Sequence, residues 1–293
     1  MRIVSLLPST TEIVCDLGLG DELVGVTAEC NWPDRVQDGR EIVVRSCAGA
    51  DMTPGEIDDF VRQRIGAGLD LYELDDDALR RCDPDLILSQ DLCRVCAVAS
   101  GDVEAATRRL NCRADVLQID PQTLSEVLRS ITTIATAATV AQRGHDLVAA
   151  LRHRLDEVVK AVSTQPRRRV FVLEWIDPPF GAGHWVPDLV TAAGGDPVLA
   201  RAGERSVSTT WEEIARARPD VVVVAPCGFG LESSSGQARA VLDDLPRDAE
   251  VWAIDADAVM VRPGPRLVDG VEALASLLHG VGVPSADLVS RIR

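Results

Sequence analysis

A long helical segment decides the fold that this sequence predicts: residues 124–162 read LSEVLRSITTIATAATVAQRGHDLVAALRHRLDEVVKAV. The segment holds one glycine and no proline, and Val127, Ile131 and Ile134 recur at helical spacing. At a rise of ~1.5 Å per residue, even its last ~23 residues would span ~34 Å, about the width of a small domain. The segment therefore predicts a helical connector, over residues 121–167, between two domains.

Strand-like and helix-like segments alternate on both sides of this connector. Apolar runs such as LILSQ before it and VVVVAP after it are typical of buried strands, and they stand between helical patterns such as MTPGEIDDFVRQRIGAG and AVLDDLP. The segments DPDLIL and RPDVVVV form a short internal repeat, in which a Pro-Asp pair leads into an apolar run. We therefore predict an α/β protein with two Rossmann-like lobes, residues 1–120 and 168–293, whose mostly parallel sheets are joined by a long helix.

The composition predicts a folded, soluble protein and excludes some partners. The 293 residues are 46% hydrophobic and 26% charged, and the mean hydropathy is +0.07. The formal net charge is −16, and Lys160 is the only lysine. Such a chain offers no basic face for phosphates, so we expect neither nucleic acid nor an anionic membrane as a partner.

The amino-terminal residues predict a location in the cytoplasm. Met1 and Arg2 lead directly into IVSLLP, which is shorter than the ~7–15 apolar residues of a secretory signal. No window approaches the ~18 apolar residues of a membrane-spanning helix. Without export, a transporter partner is not expected. In the cytoplasm, the eight cysteines would serve as metal ligands, redox thiols or buried apolar groups rather than disulfides.

Four of the cysteines follow predicted strands: Cys30, Cys93, Cys96 and Cys227. In an open α/β sheet the loops after the strands form the ligand crevice, so these thiols are expected to converge there. Four thiolates suit a zinc ion or an iron–sulfur cluster. Two alternatives stay open. Cys93 and Cys96 could form a redox pair by themselves, and Cys30 and Cys227 could each be structural.

Aromatic residues are only 3% of the chain, so their positions are informative. Trp32, Trp175, Phe180 and Trp185 all fall on predicted loops of the crevice. There they could stack on a flat ligand or line an apolar wall, as aromatic side chains do in ligand pockets. The alternative is that they pack one lobe against the other.

Several polar residues are predicted on the same loops. Glu174, which ends a strand, is a candidate polar contact, and His184 is either a ligand contact or a turn residue. Arg262 and Arg266 in RPGPR could receive a carboxylate, a phosphate or an amide, although Arg262 could equally tie the loop to its own lobe. The sequence contains no Walker loop, no G-x-G-x-x-G and no recognisable catalytic triad. These residues therefore indicate binding rather than catalysis.

Segments along nearly the whole chain resemble a known family. They are RIVSLLPSTTEIVCDLGLGDELVGVTAECNWP, VFVLEWIDPPFGAGHW, WEEIARARPDVVVV and RPGPRLVDGVEALASLLH. The chain resembles the class III substrate-binding proteins of ABC transporters, in particular the vitamin B12 (cobalamin) binding branch. The resemblance implies two Rossmann-like lobes joined by one long helix, with the ligand between them. It also implies that Trp32 and Phe180 contact a corrin ring.

The chain departs from this branch at Cys47 and Gln90, where no tryptophan is present, and matches it further at Asp77 and Glu212. Cys47 and Gln90 fall near places where cobalamin binders present tryptophans, and Asp77 and Glu212 fall near acidic residues that contact a permease. The function expected from the sequence is an intracellular protein that holds a corrinoid, or another metal-containing cofactor, in the crevice between the lobes. The alternative is a zinc or iron–sulfur protein that uses the four cysteines and has a redox role.

Overall fold

The fold was obtained as a computed structural model that describes residues 1–49, 52–90, 103, 105–107, 113–282 and 286–293. The chain divides into two compact units. The first unit comprises Met1–Pro121 and Leu128–Val148, and the second comprises Gln122–Val127 and Ala149–Arg293. No helix in these described ranges is long and apolar enough to cross a membrane.

The first unit is built on a six-stranded sheet. Its strands are β1 (Ile3–Ser5), β2 (Leu23–Thr27), β3 (Glu41–Ser46), β4 (Tyr72–Leu74), β5 (Leu86–Ser89) and β6 (Asp115–Gln118). Their order in the sheet is β4-β3-β2-β1-β5-β6, and every pairing is parallel except that of β3 with β4. Helices described in this unit before the connector include α1 (Pro8–Asp16), α2 (Pro54–Gly66) and α3 (Asp76–Cys82), with a short 3-10 turn at Gly20–Glu22, and residues 103 and 105–107 are also helical.

The core of the first unit explains why these strands form. Val4, Val43 and Ile87 are fully buried and pack with Leu79 of α3 in one apolar cluster. Removing such side chains from water is the main favourable term in folding. A β-carbon at Gly25 would lie 2.8 Å from the Sγ atom of Cys82, so the close packing of α3 on the sheet requires glycine there.

The predicted connector is present as two consecutive helices rather than one. They are α4 (Leu124–Ala137) and α5 (Ala141–Val162). Thr139 lies between them with φ +61°, a left-handed backbone conformation that does not continue a helix. The apolar periodicity runs through this break, which is why the sequence alone does not reveal it.

The second unit contains a seven-stranded mixed sheet. Its strands are β7 (Arg168–Ile176), β8 (Pro179–Gly181), β9 (Gly195–Pro197), β10 (Val207–Ser208), β11 (Val221–Val224), β12 (Glu250–Ile254) and β13 (Val289–Arg291). The order is β10-β8-β7-β11-β12-β13, and β9 pairs with β7. Strands β9, β7, β11 and β12 are parallel, whereas β8, β10 and β13 are antiparallel to their neighbours. Its helices are α6 (Val186–Ala192), α7 (Trp211–Ala217), α8 (Leu231–Ala240), α9 (Ala256–Val259) and α10 (Leu267–His279).

The short internal repeat in the sequence, DPDLIL and RPDVVVV, has the same local structure in each unit. Helix α3 is followed by Asp83, with φ +40°, and helix α7 is followed by Arg218, with φ +48°. In both places the left-handed residue stops the helix, and the Pro-Asp pair that follows leads into a fully buried strand, β5 or β11. The two lobes therefore repeat one helix–strand unit.

One predicted helix is displaced along the chain. The segment AVLDDLP was expected to be helical, but α8 occupies the preceding residues LESSSGQARA, and residues 241–245 form turns. This segment has few apolar residues and therefore no clear apolar period. Its serines and its glycine also have weak helix propensity. Ser234 and Ala238 are nevertheless buried, because the helix packs on the sheet beside β12.

Candidate ligand-binding site

The chain segments at the carboxyl ends of β7, β11 and β12 meet at one edge of the second unit's sheet. The backbone N–H of Cys227, in the loop after β11, donates to the carbonyl of Glu174 at 3.1 Å. The N–H of Asp257, after β12, donates to the carbonyl of Phe229 at 3.2 Å. These bonds tie the loop after β11 to the last residues of β7 and to the first turn of α9, at the carboxyl edge where open α/β sheets bind ligands.

Three aromatic side chains come together at this edge. Trp175 and Phe180 are directly opposite each other in the antiparallel pairing of β7 with β8, which places their side chains on the same face of the sheet. The rings of Trp175 and Phe229 are tilted at 46° with centroids 5.9 Å apart. All three side chains are partly exposed. We call Trp175, Phe180 and Phe229 the aromatic cluster.

The central ring of the aromatic cluster is fixed in orientation. The indole N–H of Trp175 donates to the carbonyl of Asp177 at 3.0 Å. Its polar edge is therefore satisfied within the turn that joins β7 to β8, and its apolar ring is left for contact with Phe229 and with a ligand. Such a fixed, half-exposed indole is suited to contact with an apolar, flat molecule.

Next to the aromatic cluster, Glu174 is held by a hydrogen-bonded serine. The Ser206 hydroxyl donates to Oε2 of Glu174 at 2.8 Å and accepts from the N–H of Gly183 at 3.1 Å. A β-carbon at Gly183 would stand 2.3 Å from the Ser206 nitrogen, so only glycine permits this close approach. Glu174 is partly exposed, as expected for the polar contact that the sequence predicted.

The structure places Trp185 in the interior of the second unit rather than on an exposed wall. Trp185 is 5% exposed, and its indole N–H donates to the carbonyl of Met260 at 2.8 Å. Its position just before helix α6 turns the ring inward. This burial does not support the predicted contact between Trp185 and a ligand.

His184 is tied to the start of the connector. Its Nδ1 atom lies 3.2 Å from Oε1 of Gln122, and its backbone has φ +52°. Burial lowers the pKa of His184, and the positive charge of Arg205 lowers it further. Of the two roles that the sequence left open, the backbone conformation and the contact with Gln122 favour a turn residue.

Arg262 holds its own loop in place. It is 8% exposed, and its guanidinium donates to Asp257 at 2.7 Å. This is the alternative that the sequence raised, in which Arg262 ties the RPGPR loop to its own lobe. Arg266 is the residue just before helix α10 and is partly exposed, so it is the arginine of this loop with more access to solvent.

The predicted contact Trp32 and the two positions that lack the branch's tryptophans, Cys47 and Gln90, differ in their exposure. Trp32 is 41% exposed, in keeping with a role in ligand contact. Cys47 is partly buried, and Gln90 is 5% exposed. Trp32 therefore offers the largest accessible apolar surface among the three.

Two of the four predicted metal ligands, Cys30 and Cys227, lie in the described residues and have different environments. Cys30 is 1% exposed, with its Sγ atom 3.1 Å from the Thr11 hydroxyl and 3.3 Å from the Thr27 hydroxyl, whereas Cys227 is exposed. Cys93 and Cys96 lie outside the described residues. Within the ranges that the structure describes, no group of three metal-ligating side chains is found. The enclosure of Cys30 by hydroxyls in its own unit does not support its role as a ligand.

Two residues of the site were not identified from the sequence. Phe229 follows the strand VVVVAP within CGFG, and it is one of only four phenylalanines, so the rarity of aromatics could have revealed it. Ser206 carries no such signal, because its role depends on β10 pairing with β8, and a two-residue strand has no readable pattern.

Two α/β units connected by helices, with aromatic and polar side chains at the carboxyl edge of a sheet, are an arrangement found in solute-binding proteins. The chain belongs to the periplasmic binding protein family, whose model matches residues 3–258. This membership confirms the family that the sequence segments suggested, and it establishes the chain as a ligand-binding protein of that family.

Sequence relatives cover nearly the whole chain. The chain is 26% identical over 292 residues to YvrC of Bacillus subtilis, an uncharacterized ABC transporter substrate-binding lipoprotein, covering 95% of this chain and 80% of the relative. It is 23% identical over 281 residues to a vitamin B12-binding protein of Vibrio cholerae, covering 94% of this chain and 88% of the relative.

Solved structures show the same fold. The periplasmic vitamin B12 binding protein BtuF of Vibrio cholerae matches with a TM-score of 0.68 at 21% identity, covering 94% of this chain and 96% of that one. A periplasmic heme binding protein of Pseudomonas aeruginosa matches with a TM-score of 0.72 at 19% identity, covering 99% and 97%. These matches confirm the predicted fold, with two α/β domains and a helical connection.

Proposed function

We propose that this protein binds a corrinoid, a flat cobalt-containing macrocycle, as its transported ligand. The observation that carries the proposal is the aromatic cluster, in which Trp175 is paired with Phe180 across β7 and β8 and its ring lies beside Phe229 at the carboxyl edge of the second unit's sheet. Sequence relatives that are named vitamin B12-binding proteins support the choice of ligand. Trp32 of the first unit offers a further exposed aromatic surface.

The chemistry of the aromatic cluster fits a macrocycle better than a small polar solute. Half-exposed aromatic rings lose water when they pack against an apolar surface, and ligand pockets use such rings with a few placed polar groups. Here the polar group is the carboxylate of Glu174, which Ser206 orients. A corrinoid offers both an apolar ring system and polar substituents at its rim.

Replacing Trp175 tests this proposal. We expect Trp175→Leu to weaken cobalamin binding roughly tenfold or more, since aromatic anchors carry much of the energy of an interface. Trp252→Leu is the matched control. Trp252, on β12, is also partly buried, but it packs beside Arg291 of β13. Equal affinity of both variants and the wild type, measured by quenching of tryptophan fluorescence, would exclude the aromatic cluster as the binding surface.

We further propose that an ABC transporter is the partner, through one acidic residue on each unit. Asp77, near the start of α3, and Glu212, near the start of α7, have side chains that are 75% and 83% exposed. They occupy equivalent places in the repeated helix–strand unit. The relative named as an ABC transporter substrate-binding lipoprotein supports this partner. The amino-terminal residues had led to the opposite expectation, that the protein has no transporter partner.

Charge reversal tests the transporter contact. Asp77→Lys combined with Glu212→Lys is expected to abolish stimulation of the transporter's ATPase by ligand-loaded protein, while corrinoid affinity stays unchanged. Asp38→Lys is the control, since Asp38 is 59% exposed and pairs with Arg35 three residues away, as Asp77 pairs with Arg80. Stimulation that survives the double reversal would exclude these two acids as contacts.

The location in the cell stays a prediction. Fractionation of cells with an antibody against the protein distinguishes a cytoplasmic protein, as the amino-terminal residues predicted, from one at the outer face of the membrane. A purely cytoplasmic pool would contradict the proposed transporter contact. It would leave corrinoid binding as the function to be tested by itself.

A further inference from the structure

A short segment of the second unit, around Arg205, is paired with the loop that follows β8. On one side of Arg205, the carbonyl of Glu204 accepts from the backbone N–H of His184 at 2.6 Å. On the other side, the Ser206 hydroxyl accepts from the backbone N–H of Gly183 at 3.1 Å. Because both chain neighbours of Arg205 are bonded to the same loop, the backbone of Arg205 is held in place beside the candidate ligand-binding site.

The side chain of Arg205 presents a positive charge to solvent. Arg205 is exposed, and among the residues that the structure describes its guanidinium has neither a hydrogen bond nor an ion pair. Burial lowers the pKa of His184, and the charge of Arg205 lowers it further, so this charge lies near the loop after β8. In a chain with a formal net charge of −16, such a cation at the side of the site is available to an anionic group of a ligand.

The distance from the aromatic cluster limits which anion can reach Arg205. Ser208 is directly opposite Phe180 in the pairing of β10 with β8. Arg205 precedes Ser208 by three residues, which is ~10 Å of extended chain at ~3.3 Å per residue. A ligand whose ring packs on Phe180 therefore reaches Arg205 through a side chain of several bonds, rather than through a group attached directly to the ring.

We infer that Arg205 makes the site selective for corrinoids that carry a phosphate on a side chain of the ring, over corrinoids that lack one. This inference rests on the proposed function, because it requires the ring to pack on the aromatic cluster. A guanidinium suits a phosphate, since it can form two parallel hydrogen bonds with it in addition to the attraction between the charges. A single arginine fits one phosphate, and not a polyanion such as nucleic acid.

The preference should be moderate because Arg205 is exposed. Hydrogen bonds between charged groups are stronger than those between neutral ones, but water and salt weaken an ion pair at the surface. We expect binding of the phosphate-bearing ligand to be roughly fivefold to tenfold tighter at low salt. The preference should shrink at ~1 M salt, where charges are screened beyond ~3 Å.

Two corrinoids that differ by one phosphate ester provide the test. Dicyanocobinamide and dicyanocobinamide phosphate have the same ring and the same axial ligands. Calorimetric titration of the wild-type protein at low salt should show the roughly fivefold to tenfold tighter binding of the phosphate ester. Arg205→Gln should remove most of this gap by weakening binding of the ester, because glutamine keeps a polar side chain without the charge.

Arg201→Gln is the matched control. Arg201 is an arginine of the same region whose side chain is 83% exposed, but it lies 3.8 Å from the carboxylate of Glu204. The gap between the two corrinoids should therefore persist in this variant. Inorganic phosphate, added as a competitor, should weaken binding of the ester and leave binding of dicyanocobinamide unchanged.

Three results would overturn the inference while binding of dicyanocobinamide stands. They are equal affinity of the wild type for both corrinoids, a gap that Arg205→Gln leaves unchanged, and a gap that Arg201→Gln reduces as much as Arg205→Gln does. Binding of inorganic phosphate by itself, without a preference for the ester, would also contradict it, because the anion would then not belong to the ligand. If neither corrinoid binds, the proposed function fails and the inference fails with it.

Discussion

The carboxylate of Asp188, on helix α6, accepts a hydrogen bond from the backbone N–H of Leu124, the first residue of helix α4, at 3.0 Å. The first N–H groups of a helix have no partner within the helix, so the connector begins with one of its free donors satisfied by a side chain 64 residues away. The negative charge also lies at the positive end of the helix dipole. The first turn of the connector is thereby fastened within the second unit.

Removing this carboxylate should destabilise the protein by about 1 kcal/mol, as loss of a helix N-cap does. We therefore expect Asp188→Ala to lower the free energy of unfolding in urea by that amount. Asp188→Asn retains an oxygen acceptor, so it should lower the free energy of unfolding by less than about half of that amount. This smaller loss comes from removing the negative charge at the start of the helix. If both variants match the wild type, the contact with Leu124 contributes nothing to stability.

Trp185 should prove to be a core residue. Trp185→Phe removes the donor to the buried carbonyl of Met260, and an unsatisfied buried group costs about 1–3 kcal/mol. The comparison is Trp252→Phe, where the indole N–H only reaches Glu250 at 3.4 Å and the ring is partly exposed, so a smaller loss is expected. If Trp185→Phe leaves the stability unchanged but weakens ligand binding, Trp185 contacts the ligand and is not a core residue.

Alkaline pH should destabilise the first unit through Cys82. Burial, and to a smaller extent the negative charge of Glu41, raises the pKa of the Cys82 thiol to about 11. Because this value is above the ordinary 9.0, the stabilisation is complete below pH 9 and is lost as the pH rises from 9 through 11. Two pKa units correspond to about 2–3 kcal/mol. Urea unfolding at several pH values should show a flatter profile for Cys82→Ala, and identical profiles would contradict the assignment.

The thiols should differ in reactivity as they differ in exposure. Cys227 is exposed, whereas Cys30 is 1% exposed and enclosed by the hydroxyls of Thr11 and Thr27. Brief treatment of the native protein with a maleimide, followed by mass spectrometry of its peptides, should label Cys227 well before Cys30. Labelling of both at the same rate would show that Cys30 is accessible and would reopen its role as a metal ligand.

Much of the fold could be predicted from the sequence because long apolar patterns are strong signals. The runs LILS and VVVV specify β5 and β11, and the periodic segment 124–162 specifies the connector. Short elements do not have this property. The pairing of β10 with β8 depends on tertiary contacts rather than on a local pattern, and helix α8 has too few apolar residues to show a period.

The candidate site was predicted only in part, for a related reason. A sequence shows that an aromatic residue lies on a loop but not the direction of its side chain. Trp175 and Trp185 carried the same signal, yet the first is partly exposed at the sheet edge and the second is buried under Met260. Glu174 was identified from its position at a strand end, whereas its orientation by Ser206 required the structure.

Calorimetric titration of the purified protein with cobalamin tests the central claim most directly. The account predicts saturable binding of one corrinoid per chain with a dissociation constant of ~1 μM or lower, equivalent to about −8 kcal/mol. Parallel titration with haemin, the type of ligand named for one structural relative, should give much weaker binding. Saturation by haemin with no binding of cobalamin up to roughly 1 mM, a level that corresponds to only about −4 kcal/mol, would contradict the account.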